Sequence, residues 1–119
     1  VHVTGFVDDL AGFLRAADVY VCPLKVGSGM RTRVLEALAC ECAVISTSEG
    51  ITGILPSSQS DLSWLLASTP EDFAEKVAGL LSVPESGKRM RQCAGDLARE
   101  NYSWDSVTDK LLKEYMLLI

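Results

Sequence analysis

This 119-residue sequence has no apolar run long enough to span a bilayer as a helix. Its N-terminus, Val1-His2-Val3-Thr4, lacks the charged region, apolar stretch and small-residue cleavage site of a secretory signal and opens instead on a strand-like pattern, as a fragment would. There is one histidine, His2, beside apolar neighbours, where a structural role suits it. With no second histidine and no nucleophile elbow, a hydrolytic triad cannot be assembled. The four cysteines, Cys22, Cys40, Cys42 and Cys93, have neither the paired spacing of a zinc site nor the density of a disulfide scaffold. They read as small buried thiols of a reduced, cytoplasmic protein. Positive charge is also scarce: the net charge is −5, and the one dense basic run is Lys88-Arg89-Met90-Arg91. That balance excludes a nucleic-acid or anionic-membrane surface, and the run suits a solvated helix face with Met90, Cys93 and Leu97 turned inward. Internal repeats, low-complexity tracts and long linkers are absent.

What is present is 48% hydrophobic and 23% charged, ordinary for one globular domain with a real core. Short apolar runs alternate with helical patterns, the signature of a parallel sheet flanked by helices. The runs predict strands at Val1–Thr4, Val19–Cys22, Val44–Thr47 and roughly Leu62–Leu66. Helices are expected near Leu10–Ala17, with Asp8 and Asp9 as caps, and over Arg31–Cys40. Pro56–Asp61 reads as a surface turn. Thr69 as N-cap with Pro70 next opens a third helix with Phe73, Val77, Leu80 and Leu81 inward. Ser103 opens the last, whose Trp104, Val107, Leu111, Tyr115 and Leu118 form one stripe able to pack on this domain or on another. Ligands of such sheets bind at the carboxyl ends of the strands, where Gly5-Phe6-Val7, Pro23–Gly29 and Ser46–Gly50 all fall.

The stretch richest in chemistry is Gly27-Ser28-Gly29-Met30-Arg31-Thr32-Arg33-Val34-Leu35-Glu36, a glycine-loosened loop running into an amphipathic segment. Glycines let backbone N–H groups approach an anion, a helix start adds partial positive charge, and arginine neutralises phosphate. The N–H groups around Gly29 and Met30 suit a distal phosphate. Arg31 and Arg33 leave a helix in different directions, so one of them at most faces it. Glu36, a turn further in, either favours the helix dipole or accepts hydrogen bonds from a ribose diol.

Residues Gly27 to Thr47 resemble the nucleotide-sugar signature of GT-B fold glycosyltransferases, the glycosyl transferases group 1. Val3–Leu10, Ala16–Leu24 and Tyr102-Ser103-Trp104 are similar to their surroundings in order. The resemblance implies a Rossmann-like α/β fold: residues 1–119 as one domain, part of a C-terminal donor-binding lobe, with the rest of that lobe and an N-terminal acceptor lobe preceding it. It implies transfer of a sugar, a hexosyl group, from a nucleoside diphosphate sugar to an acceptor, with retention and with neither metal nor cofactor, there being no Asp-x-Asp motif. The donor would meet Gly27, Ser28, Gly29, Met30, Arg31 and Arg33, with Glu36 on the ribose and Gly5, Phe6 and Val7 near the base. Thr47 to Gly50 would lie nearby without a role, and no residue is singled out as catalytic. Membrane contact would be peripheral, through the other parts, and this stretch alone would be inactive. Two departures stand out. The family often has two glutamates separated by seven residues, and with Glu36 as the second, the first falls on Ser28. Its frequent glycine and proline after the alanine are here Glu41 and Ala43.

Two other classes fit parts of the sequence. A stand-alone nucleotide-binding or regulatory module needs the same loop without chemistry. A receiver-like signalling domain would use Asp8 and Asp9, but Pro23-Leu24 stands where its phospho-acceptor aspartate belongs and no lysine follows Leu62–Leu66 at its last strand.

Overall fold

The computed structural model describes residues 1–54 and 65–119. Two short strands, β1 (Tyr20–Cys22) and β2 (Val44–Ser46), pair in parallel with Tyr20 opposite Val44 and Cys22 opposite Ser46. Ser46 extends the pairing on β2's other side: its N–H donates to Leu65 O at 2.8 Å and its carbonyl accepts from Ala67 N at 2.8 Å. β2 is therefore central. The helices are α1 (Leu10–Ala16), α2 (Thr32–Ala39), α3 (Pro70–Ser82), α4 (Pro84–Tyr102) and α5 (Trp104–Leu117), of which α2, α3 and α4 pack on β2 and α5 packs on α4. This is a mixed α/β arrangement with a small parallel sheet.

α2 is the crossover between β1 and β2, and its sequence explains its seat. Val34, Ala37 and Leu38 recur at helical spacing and are all completely buried, whereas Arg33 and Glu36 face water. They join Leu14 of α1, Cys22 and Val44 of the strands, Ile51, Ile54 and Leu65 in one core. α4 closes that core with Ala94, Leu97 and Ala98. Its small residues, Gly95 included, let α4 lie close on α2, a seat that their weak hydrophobicity did not advertise in the sequence. Arg91 locks the arrangement, its Nη2 donating to Ala17 O at 2.8 Å beyond the end of α1.

Several sequence expectations hold with shifted edges. Asp9 caps α1, its Oδ1 accepting Gly12 N–H at 2.9 Å, while Asp8 takes no part. Thr69 caps α3 by accepting Asp72 N–H at 3.1 Å, and Asp72 in turn accepts Ser68 N–H at 3.0 Å. Ser103 caps α5 through Ser106 N–H at 3.1 Å.

Others are corrected. Val1–Thr4 forms no strand: Val1 and Val3 are fully exposed, because alternating apolar residues favour extended chain but a strand also needs a hydrogen-bonded neighbour. His2 is likewise exposed. Of the Leu62–Leu66 strand only the Leu65 and Leu66 end is described, as an isolated parallel bridge, and Pro56–Asp61 lies outside the described residues. Cys93 is exposed, not inward, since Ala94, Leu97 and Ala98 define the buried side of α4. α3 has no fully buried residue, and Leu81 is 58% exposed. The stripe of α5 also faces solvent, with Trp104 87% exposed.

Glu41 adopts φ 56°, a left-handed conformation that costs a side chain about 1 kcal/mol or more and glycine almost nothing. Its carboxylate accepts from Arg99 Nη1 at 2.8 Å, an exposed pair that offsets only part of that cost. Glu41→Gly is expected to raise stability by about 0.5–1 kcal/mol, read by chemical denaturation. A Cβ on Gly95 would come within 2.8 Å of Glu41 Cγ, so Gly95→Ala should gain its helix propensity only in the Glu41→Gly background. A stabilising Gly95→Ala beside an intact Glu41 would contradict this packing.

Burial pushes the Cys42 thiol up from 9.0 and the Tyr20 and Tyr102 phenols up from 10.0. Each group is easier to ionise when unfolded, so its contribution to stability is intact below the unfolded value and is lost as pH rises through the folded one. Thermal melts should hold steady to about pH 8.5 and fall progressively above about pH 9. A flat profile through pH 10.5, or about 1.5 units above the thiol range, would count against burial of these groups.

Candidate functional site

Because β1 and β2 run in parallel, the loops that follow them emerge on one edge. Thr47 is the centre of the contacts there. Thr47 N–H donates to Cys22 O at 3.2 Å, Thr47 Oγ1 donates to Leu24 O, and Gly50 N–H donates to Thr47 Oγ1 at 3.2 Å. Thr47, to which the sequence assigned no role, is thus the pin between the Pro23–Gly29 and Ser46–Gly50 loops. On the other side a Cβ on Gly53 would lie 3.7 Å from Met30, so the turn after β2 also backs the glycine loop. An open cleft of about 440 Å³ lies between β1 and the start of α2, lined by Tyr20, Cys22, Leu24, Met30, Arg31 and Arg33 among others.

Gly27 and Gly29 take φ 152° and φ 81°, and both residues and Ser28 are exposed. Gly27 is constrained twice: a Cβ there would run into the Arg31 guanidinium, which lies across it. Arg31 is the residue before α2's first turn, and its carbonyl accepts from Val34 N at 3.0 Å. Among the described residues no side chain caps this helix, so its first N–H groups are left to an anion. Among the described residues, Arg31 Nε is the buried side-chain nitrogen without a hydrogen-bond partner. A buried donor left unpaired costs about 1–3 kcal/mol, so a shift of this side chain that brought the nitrogen to an acceptor would be favoured.

Arg33 is different. Its Nη1 donates to Glu36 Oε2 at 3.0 Å, with the two side chains 66% and 46% exposed. Glu36 lines a second groove of about 360 Å³ between α2 and α4, with Thr32, Leu35, Arg99 and Tyr102. Thr32 borders both grooves, so they meet at the start of α2. The structure therefore gathers Gly27 to Arg33 and Glu36 around one helix end. Gly5 and Phe6 are open to solvent: Phe6 is 91% exposed, and a Cβ on Gly5 would meet nothing within 4 Å.

The family profile of glycosyl transferases group 1 matches residues 1–83, which include the whole of this edge. The chain belongs to that family. Neither the curated proteins nor the solved structures contain a match to it. Glycosyl transfer is accordingly the chemistry of this chain's family, and α4 and α5 lie beyond the matched stretch of this glycosyltransferase sequence. Among the described residues no helix is long and apolar enough to cross a membrane.

Proposed function

We propose that this chain forms part of the donor-binding lobe of a GT-B glycosyltransferase that moves a sugar, a hexosyl group, from a nucleoside diphosphate to an acceptor. The observation that carries the reading is the uncapped start of α2 with Arg31, its Nε buried and unpartnered, folded across Gly27. The diphosphate lies at that helix end, where the first N–H groups and Arg31 take up the charge that grows on the leaving phosphate as the sugar departs. Gly29 and Met30 supply backbone N–H groups to the distal phosphate, and Ser28 contributes no charge. The ribose reaches past Thr32 to Glu36, whose carboxylate accepts from its hydroxyls. On this reading the reaction needs no metal and retains anomeric configuration, as group 1 enzymes typically do. The rest of the lobe and the acceptor lobe come from elsewhere in the protein, so residues 1–119 alone bind donor without turning it over. Free thiols at Cys22, Cys40, Cys42 and Cys93 suit a cytoplasmic setting.

Titrating the isotope-labelled chain with uridine, guanosine and adenosine diphosphates tests the reading. Resonance shifts should concentrate on Gly27 to Glu36 for one base. Glu36→Gln should weaken that nucleotide by about tenfold or more, the worth of charge-assisted hydrogen bonds, and Ser28→Ala by less than about twofold. Equal losses from both substitutions, or shifts scattered away from α2's start, would refute this division of roles.

A further inference from the structure

Arg31 stands before α2 in extended conformation, outside the helix, while Arg33 and Glu36, three apart within it, share a face. The geometry assigns them different duties. Arg31 lies over the glycine loop with an unsatisfied Nε, whereas Arg33 is already engaged, its Nη1 on Glu36 Oε2 at 3.0 Å. An exposed pair of this kind holds its partners only weakly, which sets the size of the effect on the carboxylate. Glu36 has several freely rotating bonds, and ordering such a side chain on binding costs affinity. Arg33 orders it beforehand and occupies Oε2, and among the described residues Oε1 is left to accept from a ligand.

We infer that Arg33 is a positioning residue: it holds the Glu36 carboxylate ready for the ribose diol and leaves the phosphates to Arg31 and the start of α2. This rests on the donor-site reading above. It also resolves which of the two arginines faces phosphate, a choice that the sequence pattern leaves open.

Two affinity ratios separate the duties in the full-length protein. The preference for a ribonucleoside diphosphate over its 2′-deoxy counterpart reports the Glu36 contact, and the preference for the diphosphate over the monophosphate reports phosphate recognition. Arg33→Gln should lower the ribose preference by about twofold to fivefold and leave the diphosphate preference unchanged. Arg33→Lys, which keeps a donor on the same face, should restore most of the ribose preference. Both variants should melt with the parent, since the pair is exposed. A fall in the diphosphate preference with ribose preference intact would overturn the inference, making Arg33 a phosphate ligand. Two unchanged ratios would also overturn it, leaving an ordinary surface ion pair. If Glu36→Gln itself keeps the full ribose preference, or none of the three nucleotides binds, the donor-site reading fails and the inference falls with it.

Discussion

Leu38→Ala is expected to lower the unfolding free energy by about 2–5 kcal/mol, a large share of the stability of a domain this size. Leu38 is completely buried and belongs to the cluster in which α1, α2, α4 and both strands meet. Removing three carbons there loses their transfer free energy and leaves a hole that several elements would have to move together to fill. Leu111 offers the control: it is chemically identical but 51% exposed on α5, and Leu111→Ala should change stability by less than about 0.5 kcal/mol. Urea denaturation of the two variants, compared at unchanged slope, measures both. Similar losses would mean that α5 is packed or that α2 is not central.

Gly50→Ala is the second large effect. Gly50 is buried where the ends of β1 and β2 come together. A single Cβ there would strike Ser46 Oγ and come within 3.0 Å of Cys22 Sγ and 3.1 Å of the Cys22 carbonyl oxygen. The thiol and hydroxyl are short side chains, and the carbonyl is held in the sheet ladder by Thr47 N–H, so the strain has nowhere easy to go. Overpacking of this sort costs about 1–3 kcal/mol. Its consequence reaches the candidate site, because Gly50 N–H also donates to the Thr47 hydroxyl that pins the loop after β1. Denaturation should show the loss of stability, and nucleotide affinity should fall in the same variant. A Gly50→Ala protein that melts with the parent would show that this corner is looser than described. No clue to this constraint exists in the sequence, where Gly50 is one more turn glycine after Thr47-Ser48-Glu49.

How far the sequence could be read depends on whether a feature is local. α2 carries its own instructions: Val34, Ala37 and Leu38 at helical spacing, and Glu36 and Arg33 opposite, dictate which side is buried whatever surrounds it. The caps of α1, α3 and α5 are equally self-contained, since Asp9, Thr69 and Ser103 satisfy backbone groups only three residues away. The family is legible too, because its signature runs continuously from Gly27 to Thr47. Non-local features were misread. Val1–Thr4 has the alternation of a strand but no partner among the described residues, and Cys93 sits at an inward-looking spacing that α4's small residues override.

The same division holds at the candidate site. The sequence by itself determined that a glycine-loosened loop precedes a helix with Arg31, Arg33 and Glu36 near its start, because those are facts of order and periodicity. Only the tertiary structure decided that Arg33 turns to Glu36 while Arg31 folds over Gly27, and that Thr47 ties the neighbouring loop to this edge. Side-chain partners are chosen by which atoms come within hydrogen-bond distance, and that distance is set by packing between segments far apart in the chain.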